Sequence, residues 1–354
     1  MPLTTLSAQD ALRQIDRFDA VIDARSEDEY ALDHLPGAVN WPTLNNHERH
    51  AVGTLYKQVN PFEAKKRGAA LAARNIASHI ERELLDTPRN WKPLAYCWRG
   101  GKRSGSLSLI LSEIGFQVTL LEGGYKAFRA AMLEDIAPLA NRLDWRVVCG
   151  PTGSGKTRFL QALANEGAQV LDLEALANHR SSVLGAIPGV SQPSQKLFDT
   201  RIWDALRKFD PQRPVYVESE SKKVGNVAVP TALIEAMRQG SCLSLQLPDT
   251  ERVALLMEDY EHFVHQREAF CERLDALTQL RGHQVVDAWK AQVRAGDVQS
   301  VVQDLLASHY DPVYLHSMVR NFKQFGQARV IEPADRSAAS MQALALALLR
   351  VDAG

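Results

Sequence analysis

The chain has 354 residues, of which 45% are hydrophobic and 23% charged, as in ordinary soluble proteins of two or three domains. Lys and Arg number 41 against 42 Asp and Glu, so overall charge does not indicate a nucleic-acid partner, and any RNA contact must come from a local patch. No stretch approaches the roughly 18 apolar residues of a membrane span, and the start lacks a secretory signal, so we expect a cytoplasmic protein. Its four cysteines form no Cys-x-x-Cys pair, which argues against disulfides and structural zinc.

Strand and helix patterns alternate along the first 136 residues. Compact apolar runs at 18–25, 93–97 and 117–124 are typical of buried strands, and 6–13, 61–85 and 104–116 carry apolar residues at helical spacing. The stretch between 25 and 61 is rich in turn residues and is predicted as a loop. This alternation predicts a first domain, 1–136, built on a parallel α/β sheet.

After a predicted linker at 137–145, the pattern restarts with a strand, a glycine-rich loop and a helix. Further strand patterns at 168–174, 214–220 and 241–248 predict a second, doubly wound α/β domain at 146–250. From 251 to 354 the pattern is mostly helical, and we expect this region to pack on the second domain.

Cys97 lies in the run YCWRGGKRSGS, between a predicted strand and a predicted helix. Unpaired amides at the helix start, together with the nearby cations, favour a thiolate, so we expect Cys97 to be nucleophilic at neutral pH. Two alternatives stay open: a half-buried structural cysteine, and a cysteine phosphatase, whose Cys-(x)5-Arg spacing is also that of Cys97 and Arg103. The loop residues expected to hold an anion are Arg99, Gly100, Gly101, Lys102 and Arg103.

The octet GPTGSGKT at 150–157 matches the phosphate-loop pattern in the strand–loop–helix context that the motif demands. Lys156 places a charge between adjacent phosphates, and Thr157 offers a hydroxyl to Mg²⁺. The motif predicts a site for two linked phosphates without specifying the rest of the ligand. The predicted phosphate-binding residues are Gly150, Gly153, Ser154, Gly155, Lys156 and Thr157.

An acidic partner for Mg²⁺ is expected at a strand end. Glu218 and Asp172 are the candidates, and a solvated strand-end carboxylate is the alternative for each. No tightly bound cofactor is indicated.

Two stretches around the Cys97 loop resemble a known family. VIDARSEDEYALDHLPGAVNWP at 21–42 resembles the first rhodanese signature, and the Cys97 loop with LEGGYKAFR at 121–129 resembles the second. The resemblance implies a cysteine that carries sulfur or selenium, and the loop is one residue longer than usual, which leaves the donor open. Asp23 and residues 34–40 are interpreted as structural, with the alternative that Asp23 or Arg25 lines the pocket.

The chain pairs a rhodanese-like domain with a phosphate-loop domain that follows it. This pairing, together with three further motifs, resembles the tRNA 2-selenouridine synthase family over nearly the whole chain. The motifs are LEALANHRSSVLG at 173–185, QPSQKLFD at 192–199 and VESESKKVGNVAVP at 217–230. The resemblance implies a transferase that alkylates the wobble 2-thiouridine of tRNA with geranyl diphosphate and then exchanges thiogeranyl for selenium from selenophosphate. It also implies Cys97 as perselenide carrier, the cations of its loop as selenophosphate ligands and the phosphate loop as diphosphate site. A selenophosphate-supplying enzyme is a candidate partner, and the oligomeric state stays open.

For tRNA binding, the sequence offers only small local groups of basic or aromatic residues. For each basic group the alternative interpretation is an ordinary solvated surface, and for the aromatic residues it is a position in the core. Tyr310 and Tyr314 are candidates for stacking on an extruded wobble base. An apolar groove for the geranyl chain is expected beside the phosphate loop, although no stretch identifies it. The basic candidates are Arg180, Lys222 and Lys223, then His179, Arg142, Arg146, Arg320, Lys323 and Arg329.

Two rival functions stay open. A persulfide sulfurtransferase coupled to an ATP-using phosphate-loop domain would bind Mg-ATP and not geranyl diphosphate. A degenerate rhodanese used for docking would keep every activity after Cys97→Ser.

Overall fold

The computed structural model describes residues 3–180, 187, 189–259, 261 and 266–352. They form two compact units, one from Met1–Pro138 and Pro193–Asp204 and the other from Leu139–Gln192 and Ala205–Gly354. Each unit has a parallel sheet of five strands with helices, which confirms the predicted α/β class. Within these residues, no helix is long and apolar enough to cross a membrane. Residues 181–185 of the LEALANHRSSVLG motif lie outside the described residues.

The sheet of the first unit has the order β1-β5-β4-β2-β3, with every neighbouring pair parallel. Its strands are β1 (Thr4–Leu6), β2 (Ala20–Asp23), β3 (Ala38–Asn40), β4 (Pro93–Tyr96) and β5 (Thr119–Leu121). Its helices are α1 (Ala8–Gln14), α2 (Glu27–Leu32), α3 (Asn46–Gln58), α4 (Pro61–Glu83), α5 (Lys102–Ile114) and α6 (Gly124–Asn141). Because β4 is the middle strand, the chain leaves the centre of the sheet at Cys97.

Two predictions for this half were wrong. The stretch between 25 and 61, predicted as a loop, contains α2, β3 and α3. Both helices begin with a capping box, Ser26 with Glu29 and Asn45 with Glu48, which satisfies amides that a short helix otherwise leaves open. In addition, α6 continues to Asn141, so residues 137–141 are helical rather than an irregular linker.

The sheet of the second unit has the order β12-β11-β6-β8-β7 and is also parallel. Its strands are β6 (Trp145–Cys149), β7 (Gln169–Leu171), β8 (Val215–Glu218), β11 (Ser241–Leu245) and β12 (Arg329–Ile331), and β9 (Lys223–Val224) pairs with β10 (Val227–Ala228) as a separate hairpin. The strand β12 comes from the region predicted as mostly helical. The phosphate loop leaves β6, again the middle strand.

The helices from the phosphate loop onward are α7 (Lys156–Asn165), α8 (Leu173–Ala177), α9 (Gln195–Leu206), α10 (Thr231–Met237), α11 (Asp249–Asp259), α12 (Arg267–Leu274), α13 (Thr278–Arg281), α14 (His283–Ala295), α15 (Val298–Leu305), α16 (Asp311–Asn321) and α17 (Ala338–Asp352). A π-helical turn, Leu306–Tyr310, joins α15 to α16. The core behind the phosphate loop includes Val148, Phe159, Leu245 and Met341, all buried. Burial of each such side chain stabilises the fold by about 1.5–3 kcal/mol, which keeps β6 and α7 rigid beneath the loop.

Most of α9 belongs to the first unit, although its sequence lies within the range predicted for the second domain. The Trp203 indole N–H donates to Asp135 at 2.8 Å, and its ring meets the Phe128 ring edge-on at 5.4 Å. Arg129 bridges Asp33 at 3.1 Å and Asp199 at 2.7 Å. These buried contacts hold the segment on α6.

Candidate functional site

The Cys97 thiol lies directly after β4, beside the N-terminus of α5. Its Sγ accepts hydrogen bonds from the Gly101 N–H at 3.2 Å and from the Ser104 hydroxyl at 3.1 Å, and the residue is only 3% exposed. An amide and a hydroxyl aimed at one sulfur stabilise negative charge on it. Sequence reasoning did not single out Ser104, although it lies in the first turn of α5.

Glycines of the second rhodanese signature let a neighbouring turn close on this loop. A Cβ on Gly124 would lie 2.2 Å from the Cys97 carbonyl oxygen and 2.5 Å from the Gly100 nitrogen, and Gly124 has φ of +58°. The Tyr125 N–H donates to the Cys97 carbonyl at 2.8 Å. The LEGGY run therefore fixes the backbone of the loop that carries the thiol.

The three cations predicted to hold an anion have different surroundings. Arg103 forms an ion pair with Glu29 at 2.6 Å, and Glu29 also pairs with Arg49 at 2.9 Å. Arg99 and Lys102 are exposed and form no ion pair with any described residue. The charge available to an incoming anion is thus mainly that of Arg99 and Lys102, with Arg103 held by Glu29.

Asp23 and Arg25 form a buried pair at the C-terminal end of β2. Their side chains are bonded at 2.6 Å, the Tyr96 hydroxyl donates to Asp23 at 2.8 Å, and the Arg25 guanidinium stacks on the Tyr125 ring at 4.1 Å. Burial and these partners leave neither side chain facing solvent. This supports the structural interpretation of both residues.

The phosphate loop has the backbone that its glycines allow. Gly153 and Gly155 have φ of +78° and +86°, and a Cβ on Gly155 would lie 2.5 Å from the Met341 Cε. A Cβ on Gly150 would lie 2.8 Å from the Leu245 carbonyl oxygen, which belongs to the backbone and cannot move aside easily. Both positions therefore need glycine, and α7 begins at once at Lys156 with its first amides toward the loop.

Lys156 lies inside the loop. Its Nζ donates to the carbonyls of Gly150 at 2.7 Å and Pro151 at 3.3 Å. Burial lowers the pKa of Lys156 from its ordinary value, and the nearby carboxylates of Glu174 and Glu220 oppose that shift. The ammonium is thus positioned where the motif predicts contact with phosphate oxygens.

Three glutamates, Glu174, Glu218 and Glu220, line the cavity over the loop, and Asp259 is a fourth carboxylate in its lining. Thr157 donates to Glu174 at 3.0 Å, while Glu218 accepts the Glu174 backbone N–H through one oxygen at 3.0 Å. The other Glu218 oxygen has no hydrogen-bond partner in the part of the chain that the structure describes. Burial, then Glu220 and Glu174, raise the pKa of Glu218 well above its ordinary value.

The second acidic candidate, Asp172, has a different role. It caps α8, accepting the Ala175 N–H at 2.8 Å, and does not line the cavity. The nearer acid is Glu174, which sequence reasoning missed because it took residues 168–174 as one strand, whereas Glu174 lies in the first turn of α8. Over the described ranges, no cluster of three His, Cys, Asp or Glu side chains is arranged to hold a metal ion.

The cavity has about 400 Å³ of volume and two kinds of wall. One wall is the phosphate loop with the three glutamates. The other is apolar and aromatic, from α11, the π-helical turn and α16, with the side chains of Leu255, Leu256, Tyr310, Val313, Tyr314 and Met318. Phosphate-binding groups and an apolar surface therefore face one space.

Tyr314 and Arg252 connect the two walls. The Tyr314 hydroxyl accepts the Gly150 N–H at 2.5 Å, and its ring lies 5.9 Å from Lys156 Nζ. Buried Arg252 donates to the Thr152 carbonyl at 2.8 Å and pairs with Asp311 at 2.6 Å, at the start of α16. The loop and α16 are thus bonded at two points, and Arg252 was not identified from sequence.

The candidate tRNA contacts are dispersed. Arg180 lines the cavity and donates to the Asp259 carbonyl at 2.6 Å. Lys222 and Lys223 are exposed beside the β9–β10 hairpin, and Arg146 pairs with Asp144 at 3.0 Å. The structure gathers Tyr310, Tyr314 and Arg180 at the cavity and leaves the two lysines outside its lining.

Comparison with known proteins agrees with this division. Residues 7–131 match the model of the rhodanese-like domain, and residues 143–283 match that of the tRNA 2-selenouridine synthase AAA domain. The tRNA 2-selenouridine synthase of Nitrosomonas europaea is 36% identical over 68% of this chain, and the chain spans 63% of that relative's length.

Other relatives of the same description align over almost their whole length. The tRNA 2-selenouridine synthase of Sulfurovum sp. (strain NBC37-1) is 30% identical over 88% of this chain and 93% of its own. That of Shewanella piezotolerans is 31% identical over 90% of this chain and 94% of its own. The chain belongs to the tRNA 2-selenouridine synthase family.

Proposed function

We propose that this protein is a transferase that converts wobble 2-thiouridine of tRNA to 2-selenouridine through S-geranyl-2-thiouridine. The observation that carries the proposal is the shared cavity of the second unit, where a phosphate loop faces an apolar wall. A prenyl diphosphate has these two parts, a doubly charged head and a hydrocarbon tail. Family membership supports tRNA as the acceptor.

In the first reaction, the thiouridine sulfur attacks C1 of the geranyl group. The S–C bond forms, the C–O bond breaks, diphosphate leaves, and the N3 proton of the base passes to solvent. Lys156 and the amides of Gly153 and Gly155 stabilise the charge that develops on the leaving diphosphate. Leu255 and Leu256 hold the chain away from water.

The residues at the loop fit a Mg²⁺ ion, which usually binds one or two protein oxygens together with phosphates and water. The Thr157 hydroxyl and the carboxylates of Glu174 and Glu218 would hold it, and it would supply charge neutralisation of diphosphate. The Glu218 oxygen that has no partner in the described chain supports this assignment.

In the second reaction, selenium replaces the thiogeranyl group at C2 of the base. Selenophosphate holds selenium as selenide, so the exchange is redox-neutral: the P–Se bond is cleaved by water, C2–Se forms, and geranylthiol leaves. Arg99, Lys102 and the loop amides bind the donor anion near Cys97. A perselenide on Cys97 requires in addition a two-electron acceptor such as a disulfide, and it stays a prediction.

Isothermal titration separates this function from its rival. We expect geranyl diphosphate to bind the wild-type protein, and Lys156→Ala to bind it at least about tenfold more weakly. Tight binding of Mg-ATP with turnover, and no binding of geranyl diphosphate, would instead establish the ATP-coupled sulfurtransferase. Mass analysis of the wobble base after incubation with both co-substrates tests the complete conversion.

A further inference from the structure

One surface of the first unit is both apolar and basic. It is the tip of the hairpin formed by α3 and α4, where Tyr56, Val59 and Phe62 are 51%, 72% and 64% exposed. Single exposed apolar residues are common, but three around one turn form a patch that is typical of an interaction surface. We call this surface the hairpin tip; it consists of Tyr56, Lys57, Val59, Phe62, Lys65, Lys66 and Arg67.

The cations of the hairpin tip are available to a partner. Lys57, Lys65 and Arg67 are exposed and form no ion pair with other residues of the described ranges. Lys66 pairs with Glu63 at 2.6 Å, and its ammonium lies 5.0 Å from the centre of the Phe62 ring. Because the whole chain has a formal charge of −1, this excess of positive charge is local.

The hairpin is rigid enough to present this surface. Asn60 caps α4 by accepting the Phe62 N–H at 2.7 Å. A Cβ on Gly68 would lie 3.2 Å from Val52 Cγ1, so the two helices approach closely there. Binding to a preformed surface avoids the entropy cost of ordering it.

The base of the hairpin is connected to the Cys97 loop. Arg49, in the first turn of α3, pairs with Glu29, which pairs with Arg103. The 13 residues of α3 span about 20 Å at a rise of about 1.5 Å per residue. A polyanion bound at the hairpin tip and extending along α3 therefore reaches the ion pairs beside the Cys97 loop.

We propose that the hairpin tip binds the tRNA substrate, an inference that rests on the proposed function. Cations spaced among exposed rings suit RNA, since phosphates pair with Lys and Arg while unpaired bases stack on Tyr and Phe. Lys57, Lys65 and Arg67 contact backbone phosphates next to the modified anticodon. Tyr56 or Phe62 stacks on an unpaired base.

Fluorescence anisotropy with the full chain and a tRNA carrying wobble 2-thiouridine tests the proposal. The variant Lys57→Gln, Lys65→Gln, Arg67→Gln is expected to bind at least about tenfold more weakly, with the slope of log Kd against log salt reduced by about two to three. The variant Tyr56→Ala, Phe62→Ala is expected to weaken binding with the slope unchanged, because stacking releases no counterions.

A matched control removes three exposed cations elsewhere in the first unit: Arg13→Gln, Arg17→Gln, Lys92→Gln, which should leave affinity and slope unchanged. Wild-type affinity and slope in the hairpin variant would overturn the inference while leaving the proposed function in place. Failure of the wild-type protein to bind any such tRNA would instead overturn the proposed function. Light scattering tests a further outcome. If the wild-type protein is a dimer, and the variant Val59→Ser, Phe62→Ser is a monomer that keeps its tRNA affinity, the hairpin tip binds a second copy of the chain instead.

Discussion

Each of the two units has a glycine-rich loop between the middle strand of a parallel sheet and a helix. The residues that surround the loop differ between the units. After β4, the Cys97 sulfur is nearly buried and bonded to Gly101 and Ser104. After β6, the loop opens on a cavity of about 400 Å³ with carboxylates and an apolar wall. The surroundings of such a loop therefore decide whether it suits a nucleophile or a bound ligand.

The largest effect expected is at the nucleophile. If selenium passes through the predicted perselenide on Cys97, Cys97→Ser should reduce selenium incorporation at least about 10³-fold, because a serine hydroxyl cannot carry selenium in that form. Geranylation should continue, since it depends on the other loop. Mass analysis of the wobble base after each reaction measures both, and equal loss of the two products would show that the loops are not separable.

The reciprocal change is at the phosphate loop. Lys156→Ala should slow geranylation about 10²–10³-fold, because the charge on leaving diphosphate loses its closest cation. Selenium exchange on tRNA that already carries S-geranyl-2-thiouridine should proceed at the wild-type rate. A wild-type rate of geranylation in single-turnover assays would remove Lys156 from the mechanism.

A smaller effect is expected where the turn at Gly124 packs against the Cys97 loop. Gly124→Ala places a methyl group 2.2 Å from the Cys97 carbonyl at a positive φ, so it should lower the free energy of unfolding by about 2–3 kcal/mol or more. Gly105→Ala, in α5, meets no atom within 4 Å and should stabilise by up to about 1 kcal/mol. Urea denaturation measures both, and equal effects would contradict the close approach.

The smallest effect concerns the phosphate loop and the way in which Glu218 makes the stability of the fold depend on pH. Folding raises the pKa of Glu218. The Glu218 side chain therefore contributes to stability at pH values below its ordinary pKa, and this contribution is lost as the pH rises through its pKa in the folded protein. Glu218→Gln removes this loss, so its melting temperature should match wild type near pH 4 and exceed it by roughly 2–4 °C at pH 8.

Glu258 provides a control of opposite sign. Hydrogen bonding from Arg336 lowers its pKa, so its stabilisation is present at neutral pH and is lost as pH falls. Glu258→Gln should therefore lower the melting temperature at pH 8, by a small amount because the pair is exposed. If the melting temperatures of the two variants changed in the same direction relative to wild type between pH 4 and pH 8, the burial of Glu218 would be contradicted.

Sequence alone predicted the parallel α/β class, which the structure confirms, and it predicted that Cys97 and the phosphate loop each lie between a strand and a helix, because these features depend on local pattern. Strand, loop and helix are adjacent in the chain, and glycines with a cysteine or lysine mark the chemistry directly. The same local reasoning found Tyr314, but not that its hydroxyl accepts the Gly150 N–H.

Two of the residues that sequence reasoning missed act across long separations. Glu29 pairs with Arg103 from 74 positions away, and Arg252 contacts Thr152 from 100 positions away. Glu29 lies in a stretch predicted as a loop and Arg252 in an ordinary helical pattern, so nothing nearby distinguishes either from a solvated side chain. Their partners are set by how strands order in the sheet, which local periodicity does not encode.

The position of α9 has a consequence for dividing the protein. The chain passes from the first unit to the second, returns for residues 193–204 and passes back again. A gene fragment that ends near residue 140 would encode Phe128 and Arg129 without Trp203 and Asp199, leaving an aromatic ring uncovered and a guanidinium short of one carboxylate. Splitting the gene at the apparent boundary should therefore yield an aggregation-prone first half, whereas supplying α9 as a fused segment should restore its solubility.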